Sequence, residues 1–200
     1  MLCTMYKPFL FSLLAAGFAL GAESFEKLPF GDITSGATEL GQLSAEAGQA
    51  EIYKKGRTGS KCLRIKGGAG QSATFVLDEK IKKDTRASFW MERWTKKDPF
   101  KVVVLAVNPA GEKELTTVQG IGHGGFNKKV DIVLPAGTTA LRITADTPAE
   151  SGVLIDDVAL MVGVMKVNGV TPITPGVWPL MKRARFNPML ALNIETQGAE

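Results

Sequence analysis

Trp90, Glu92 and Trp94 alternate along one short stretch of the chain, with Phe89, Met91 and Arg93 between and beside them. In an extended strand the first three share one face and the second three the other. Indoles beside a carboxylate suit sugar recognition, because flat rings stack on pyranose faces while planar polar groups take the hydroxyls. Trp94 precedes Thr95-Lys96-Lys97 at the strand end, where a ring can reach a ligand, whereas Trp90 is expected in the core. The candidate sugar contacts are therefore Trp94 and Glu92, with a guanidinium from Arg93 or Arg86. His123 is a further candidate from the loop Gly120-Ile121-Gly122-His123-Gly124-Gly125. That glycine run lacks the Gly-Lys-Ser/Thr ending of a phosphate-binding loop.

Other chemistries are excluded by composition. There is one histidine in 200 residues and there are two cysteines, so a His-rich metal site and a Cys/His relay are not expected. The formal charge of +4 calls for no nucleic-acid partner. Residues 1–22 read as a secretory signal peptide: Lys7 is its only charge, an apolar run spans Phe9–Leu20, and small residues allow cleavage after Gly21 or Ala22. The run is shorter than a bilayer needs, so no membrane span is expected once the leader is removed. Removal lowers the charge to +3, since Lys7 is lost from a chain of charge +4, and leaves Cys62 as the sole cysteine. Cys62 lies in the alternating Lys61-Cys62-Leu63-Arg64-Ile65 and is expected to be a buried, inert small hydrophobe.

The elements that must position these residues are strands. Strand-like runs occur over 50–53, 61–66, 73–77, 87–94, 101–107, 129–134, 140–144 and 153–161. Turn chemistry separates them, notably Gly67-Gly68-Ala69-Gly70, Asn108-Pro109-Ala110-Gly111 and Asp146-Thr147-Pro148. Such spacing, rich in β-branched residues, predicts an all-β, two-sheet β-sandwich. Residues 102–107 are apolar on both faces and read as a central covered strand; residues 39–50 allow a short helix weakened by Gly41 and Gly48.

Ser151-Gly152-Val153-Leu154-Ile155-Asp156-Asp157-Val158-Ala159-Leu160 resembles the last strand of galactose-binding-like jelly rolls, as found in carbohydrate-binding modules of secreted glycosidases. Ser24-Phe25-Glu26 is similar to their opening, and Gly56-Arg57-Thr58-Gly59-Ser60-Lys61-Cys62-Leu63 to the segment that leads into their Gly-Ser strand. The resemblance implies a galactose-binding-like module over 23–164. It also implies a structural Ca²⁺ held by Glu26, the Lys61 carbonyl, and Asp156 or Asp157. Calcium takes six to eight hard oxygens. Alternation sends Asp156 and Asp157 to opposite faces, so one of them is expected at the ion. A glycosidase of its own would need two carboxylates about 5 to 10 Å apart; one of these acids would already be committed, so catalysis by this chain is not expected.

After residue 164 the character changes. Residues 165–186 are proline-rich and linker-like, and Asn187-Pro188-Met189-Leu190-Ala191-Leu192-Asn193-Ile194-Glu195-Thr196-Gln197-Gly198 begins an orphan strand, expected to open a truncated following domain. This last stretch resembles the opening strand of the small β-domain that precedes BNR-repeat neuraminidases. The implied whole is a secreted exo-α-sialidase. This chain would be its N-terminal carbohydrate-binding or spacer module, meeting sialylated or galactose-containing glycans beside a downstream catalytic domain of the same polypeptide. No Asp-box of the form Ser-x-Asp-x-Gly-x-x-Trp occurs, and the family's arginine triad, nucleophilic tyrosine and acid/base aspartate correspond to no residue here. The alternative expectation is a small secreted envelope or adhesion β-sandwich with no enzymatic partner.

Overall fold

The computed structural model describes residues 19–98 and 100–162 of the 200. Most of the expected leader, the linker and the orphan strand lie outside the described residues. The strands are β1 (Ala19–Glu23), β2 (Gly31–Asp32), β3 (Ser35–Thr38), β4 (Gly41–Ser44), β5 (Ala50–Tyr53), β6 (Cys62–Leu77), β7 (Thr85–Arg93), β8 (Lys101–Asn108), β9 (Gly111–Val118), β10 (Lys128–Leu134) and β11 (Ala140–Val162). Among the described residues no helix is long and apolar enough to cross a membrane.

All ladders between these strands are antiparallel, the isolated Arg93–His123 bridge alone being parallel among the described residues, and two long strands organise them. The first half of β6 and the last part of β11 sit in one sheet, ordered β10-β7-β11-β6-β5-β2, with β1 extending the β6 side of β11. The second half of β6 and the first part of β11 sit in the other, ordered β9-β8-β11-β6-β4-β3. Both strands therefore pass from one layer to the other, which makes the molecule a β-sandwich with shared corners.

This corrects two sequence-based expectations. Gly67-Gly68-Ala69-Gly70 and Asp146-Thr147-Pro148 do not separate strands; they are the bends of β6 and β11, where the ladder register shifts on either side of Thr147. Glycine is required at the bend for close approach. A Cβ on Gly67 would lie 2.2 Å from the Pro148 carbonyl oxygen and 2.5 Å from that of Ala149. Residues 39–50 form β4 and a turn into β5 instead of a helix, and β9 lies outside the strand runs the sequence predicts. Its sequence, Gly111–Val118, carries exposed Glu112, Lys113 and Glu114 on an edge strand, so period-2 burial is missing from it. In β8 only Val102, Val104 and Ala106 are buried; Val103, Leu105 and Val107 are half-exposed, so the strand is covered on one side.

The core follows alternation. Ala50 and Ile52, Leu63 and Ile65, Ala73 and Phe75, Ala87, Phe89 and Met91, and Leu141, Ile143, Val153 and Ile155 all point between the sheets and are buried. Phe25, with φ of 63°, plugs one end of this core, its ring 6.2 Å from that of Phe75. Burying a side chain of this size contributes roughly 1.5–3 kcal/mol each. The expected cleavage after Gly21 falls within β1 and would leave Ala22 and Glu23 opposite Ala159 and Val158.

The Gly67 crossover yields a direct test. Gly67→Ala drives a methyl group into two backbone carbonyls, and an expected loss of about 2–4 kcal/mol follows, read from the midpoint of urea unfolding. An unchanged midpoint would show that the corner relaxes freely.

Candidate functional site

The outward face of the first sheet is not the polar surface that alternation normally leaves on a half-buried antiparallel sheet. Cys62 on β6, Leu154 on β11 and Phe126 from the loop 119–127 form a second, smaller apolar layer there, and Tyr53, Trp90 and Trp94 pack half-buried on top of it. Cross-strand register explains the grouping: Tyr53 lies opposite Cys62, Arg64 opposite Leu154, Leu154 opposite Glu92, and Asp156 opposite Trp90. Trp90 thus belongs to this outer layer and not to the sandwich core, because the face it shares with Glu92 and Trp94 is the outward one. Cys62 is fully buried beneath it. Burial, reinforced by the negative charge of Asp156, pushes its thiol up to about 12, leaving it protonated and unreactive.

Two guanidinium groups lie on the indoles. Arg64 is 3.4 Å from the Trp94 ring centroid, and Arg57 is 4.1 Å from that of Trp90. Tyr53 meets Trp94 edge-on at 6.1 Å and 82°. Arg64 is held in plane by Glu51 at 2.7 Å and by the Ser151 carbonyl at 3.3 Å. Such a stack is worth about 0.5–1 kcal/mol for the exposed Arg57 and up to about 2 kcal/mol for the largely buried Arg64.

The candidate acids serve one loop, residues 54–61. Its backbone N–H groups have no ladder partner, and carboxylates accept them. Asp156 Oδ2 accepts from Arg57 N at 2.6 Å and Thr58 N at 3.2 Å. Asp157 Oδ2 accepts from the Arg57 guanidinium at 2.5 Å, and its Oδ1 from the Thr58 hydroxyl. Glu26 Oε1 accepts from Ser60 N and Lys61 N, each at 2.7 Å, and its Oε2 from the Ser60 hydroxyl at 2.9 Å. These bonds, led by that from the Ser60 hydroxyl, hold the Glu26 carboxyl below its ordinary range. Asp156 and Asp157 therefore act on the same loop, against the expectation from alternation. Asp157 adopts φ of 51° in a β-bulge between Asp156 and Ala159, and the extra residue turns its side chain back beside that of its neighbour.

Glu92 is fully buried. Lys55 pairs with its Oε1, and Phe126 N donates to its Oε2 at 2.8 Å. Burial alone would raise its pKa; the Lys55 ammonium and the N–H groups of Phe126 and Gly124 outweigh that and hold it below the usual carboxylate range. It ties loops 54–61 and 119–127 together and faces no solvent. Arg93 points to the other side of β7, 4.5 Å over Phe100 and 2.5 Å from Asp98. His123 is exposed in its loop, Nδ1 lying 3.1 Å from the Arg93 carbonyl oxygen. Arg86, also on β7, lies 3.5 Å from Asp131, and of the five candidate sugar contacts Trp94 alone belongs to the aromatic layer.

Tyr53, Lys55, Arg57, Arg64 and Phe126 were not singled out from sequence. Tyr53 and Arg64 had a readable signal, since both sit at positions alternating with core residues in strands that were recognised. Arg57 and Phe126 come from loops whose partners are distant in sequence. A shallow depression of about 280 Å³ on the other sheet, lined by Ser44, Glu46, Ser72, Thr74 and Arg142, carries no aromatic side chain.

No protein-family profile matches the chain, and neither does any curated protein. Solved structures do. The CBM22-1 xylan-binding domain of Paenibacillus barcinonensis Xyn10C is 17% identical over 74% of this chain and 97% of its own, with a TM-score of 0.51. The K2 cleaved adhesin domain of Lys-gingipain is 14% identical over 74% of this chain and 99% of its own, with a TM-score of 0.52. The K3 cleaved adhesin domain of Lys-gingipain from Porphyromonas gingivalis w83 is 14% identical over 74% and 100%, with a TM-score of 0.50. At these identities the likeness establishes the jelly-roll type of β-sandwich.

Asp156 provides a pH test. Burial pushes its carboxyl up from 3.8 to about 6, against the three backbone N–H donors that favour the charged form. A folded pKa above the unfolded one means that the folded state holds its proton longer. Stability from this group is thus full below the unfolded value and falls as pH rises from about 4 to about 6, by roughly 2–3 kcal/mol. Urea unfolding across this range, compared with Asp156→Asn, is expected to show that component of the slope in the wild type and not in the variant.

Proposed function

We propose that the outward aromatic face of the first sheet binds glycans and that this chain works as a non-catalytic carbohydrate-binding module. The observation that supports this most directly is the layer of Tyr53, Trp90 and Trp94 on a sheet face where alternation calls for polar side chains. With Arg57 and Arg64 stacked on the indoles, what this layer offers a pyranose unit is the planar outer side of each guanidinium together with the half-buried flanks of Tyr53, Trp90 and Trp94. Glu51 and the Ser151 carbonyl fix the Arg64 guanidinium over Trp94, and Asp157 fixes that of Arg57 over Trp90. The face lacks an acid pair free for hydrolysis, since Glu92, Asp156 and Asp157 are engaged by loop donors.

Function would be by tethering: weak sugar binding raises the local concentration of substrate for a catalytic domain on the same polypeptide. That this domain is an exo-α-sialidase rests on the resemblance of residues 187–200, and export rests on residues 1–22. The ligands to try are xylan, which the Paenibacillus domain binds, and the galactose- and sialic acid-bearing glycans implied by the sequence resemblance.

Calorimetric titration and affinity electrophoresis with xylo-oligosaccharides, galactosides and sialyllactose test the reading. Trp94→Ala is expected to weaken binding about tenfold while leaving the fold intact. Absence of binding to every glycan would reduce the chain to a spacer or an envelope adhesion protein. Equal binding by wild type and Trp94→Ala would move the site off this face.

A further inference from the structure

The carboxylates that the jelly-roll resemblance assigns to a calcium ion, Glu26, Asp156 and Asp157, are all engaged by protein donors, and a side-chain cation lies beside the Glu26 turn. We infer that the ammonium group of Lys61 is the structural cation of this site and that the fold takes no divalent metal there. Lys61 Nζ donates to two backbone carbonyls of the turn that follows β1, that of Glu26 at 2.8 Å and that of Leu28 at 2.6 Å. It also lies 4.7 Å from the ring centroid of Phe30. A single positive charge thus gathers two carbonyl dipoles and an aromatic face, work otherwise done by a bound ion. The turn it ties down carries Phe25 and Leu28 into the core, so the contact is coupled to packing at that end of the sandwich.

The expected calcium ligands do not fit the metal as folded. Both carboxylate oxygens of Glu26 accept N–H or O–H donors from Ser60 and Lys61. That grip depends on Gly59, on which a Cβ would lie 2.5 Å from Glu26 Oε1. The Lys61 carbonyl oxygen faces Gly56, whose absent Cβ would lie 2.8 Å from it. Asp156 and Asp157 are turned to Arg57 and Thr58. The carbonyls of Lys61, Glu26 and Leu28 remain, three oxygens against the six to eight calcium takes. An incoming ion would also have to displace an ammonium tethered at high effective concentration.

The test uses the protein itself. Its melting temperature is expected to be the same in millimolar CaCl₂ and in EDTA, and Tb³⁺ is expected to give no sensitised emission from Trp excitation. Lys61→Met, which keeps the aliphatic stem and removes the charge, is expected to lower the melting temperature by on the order of 5 °C in either buffer. Lys61→Gln, with a neutral donor, is expected to fall between the two and serves if Lys61→Met does not fold. A calcium-dependent rise in the melting temperature of the wild type, or variants that melt with the wild type, would overturn the inference.

Discussion

The backbone of residues 54–61 runs across the end of the first sheet without ladder partners, and three carboxylates hold it there by accepting its N–H groups and side-chain donors. Asp156 takes Arg57 and Thr58, Asp157 takes the side chains of the same two residues, and Glu26 takes Ser60 and Lys61. A fourth, Glu92, takes Lys55 from the same loop. Unmet donors at a partly buried loop would cost about 1–3 kcal/mol each. Fixing this loop also fixes what it carries: Arg57 over Trp90, and Lys61 on the turn after β1. The aromatic face and the plugged end of the core are consequences of the same clamp.

The two bent strands make that clamp possible. β6 leads directly out of the loop at Cys62 and then passes into the second sheet; β11 supplies Asp156 and Asp157 from its half in the first sheet. A rigid, hydrogen-bonded pair that belongs to both layers holds donors and acceptors nearly one hundred residues apart in register. The cost is borne at the corners, where Gly67 and Gly152 let backbone carbonyls approach within distances no Cβ tolerates.

On the outward face, apolar and cationic groups are interleaved. Trp90 and Trp94 are each covered by a guanidinium, and each guanidinium is in turn paired with a carboxylate, Asp157 for Arg57 and Glu51 for Arg64. The layers shield one another from water and keep flat rings at the surface without an open apolar patch, a patch that would favour aggregation. Rigid rings at a wet surface lose little conformational freedom when a ligand arrives, which favours weak but selective contact.

Much of this was legible from the chain alone. The sequence bounds 50–53 as the strand that is β5, and it places Trp90, Glu92 and Trp94 on one face because alternation is a local property of extended backbone. Glu26, Lys61, Asp156 and Asp157 were singled out as a group, and they do gather around one loop. Alternation does not say which face turns inward when both carry large apolar side chains, as in β7, so the positions of Trp90 and Glu92 needed the packed structure. The bulge at Asp157, the union of short strands into β6 and β11, and the contact of the Lys61 ammonium with the Glu26 and Leu28 carbonyls also needed it. Each depends on partners from distant parts of the sequence, and their convergence is set by sheet register and corner geometry, which no local pattern of residues encodes.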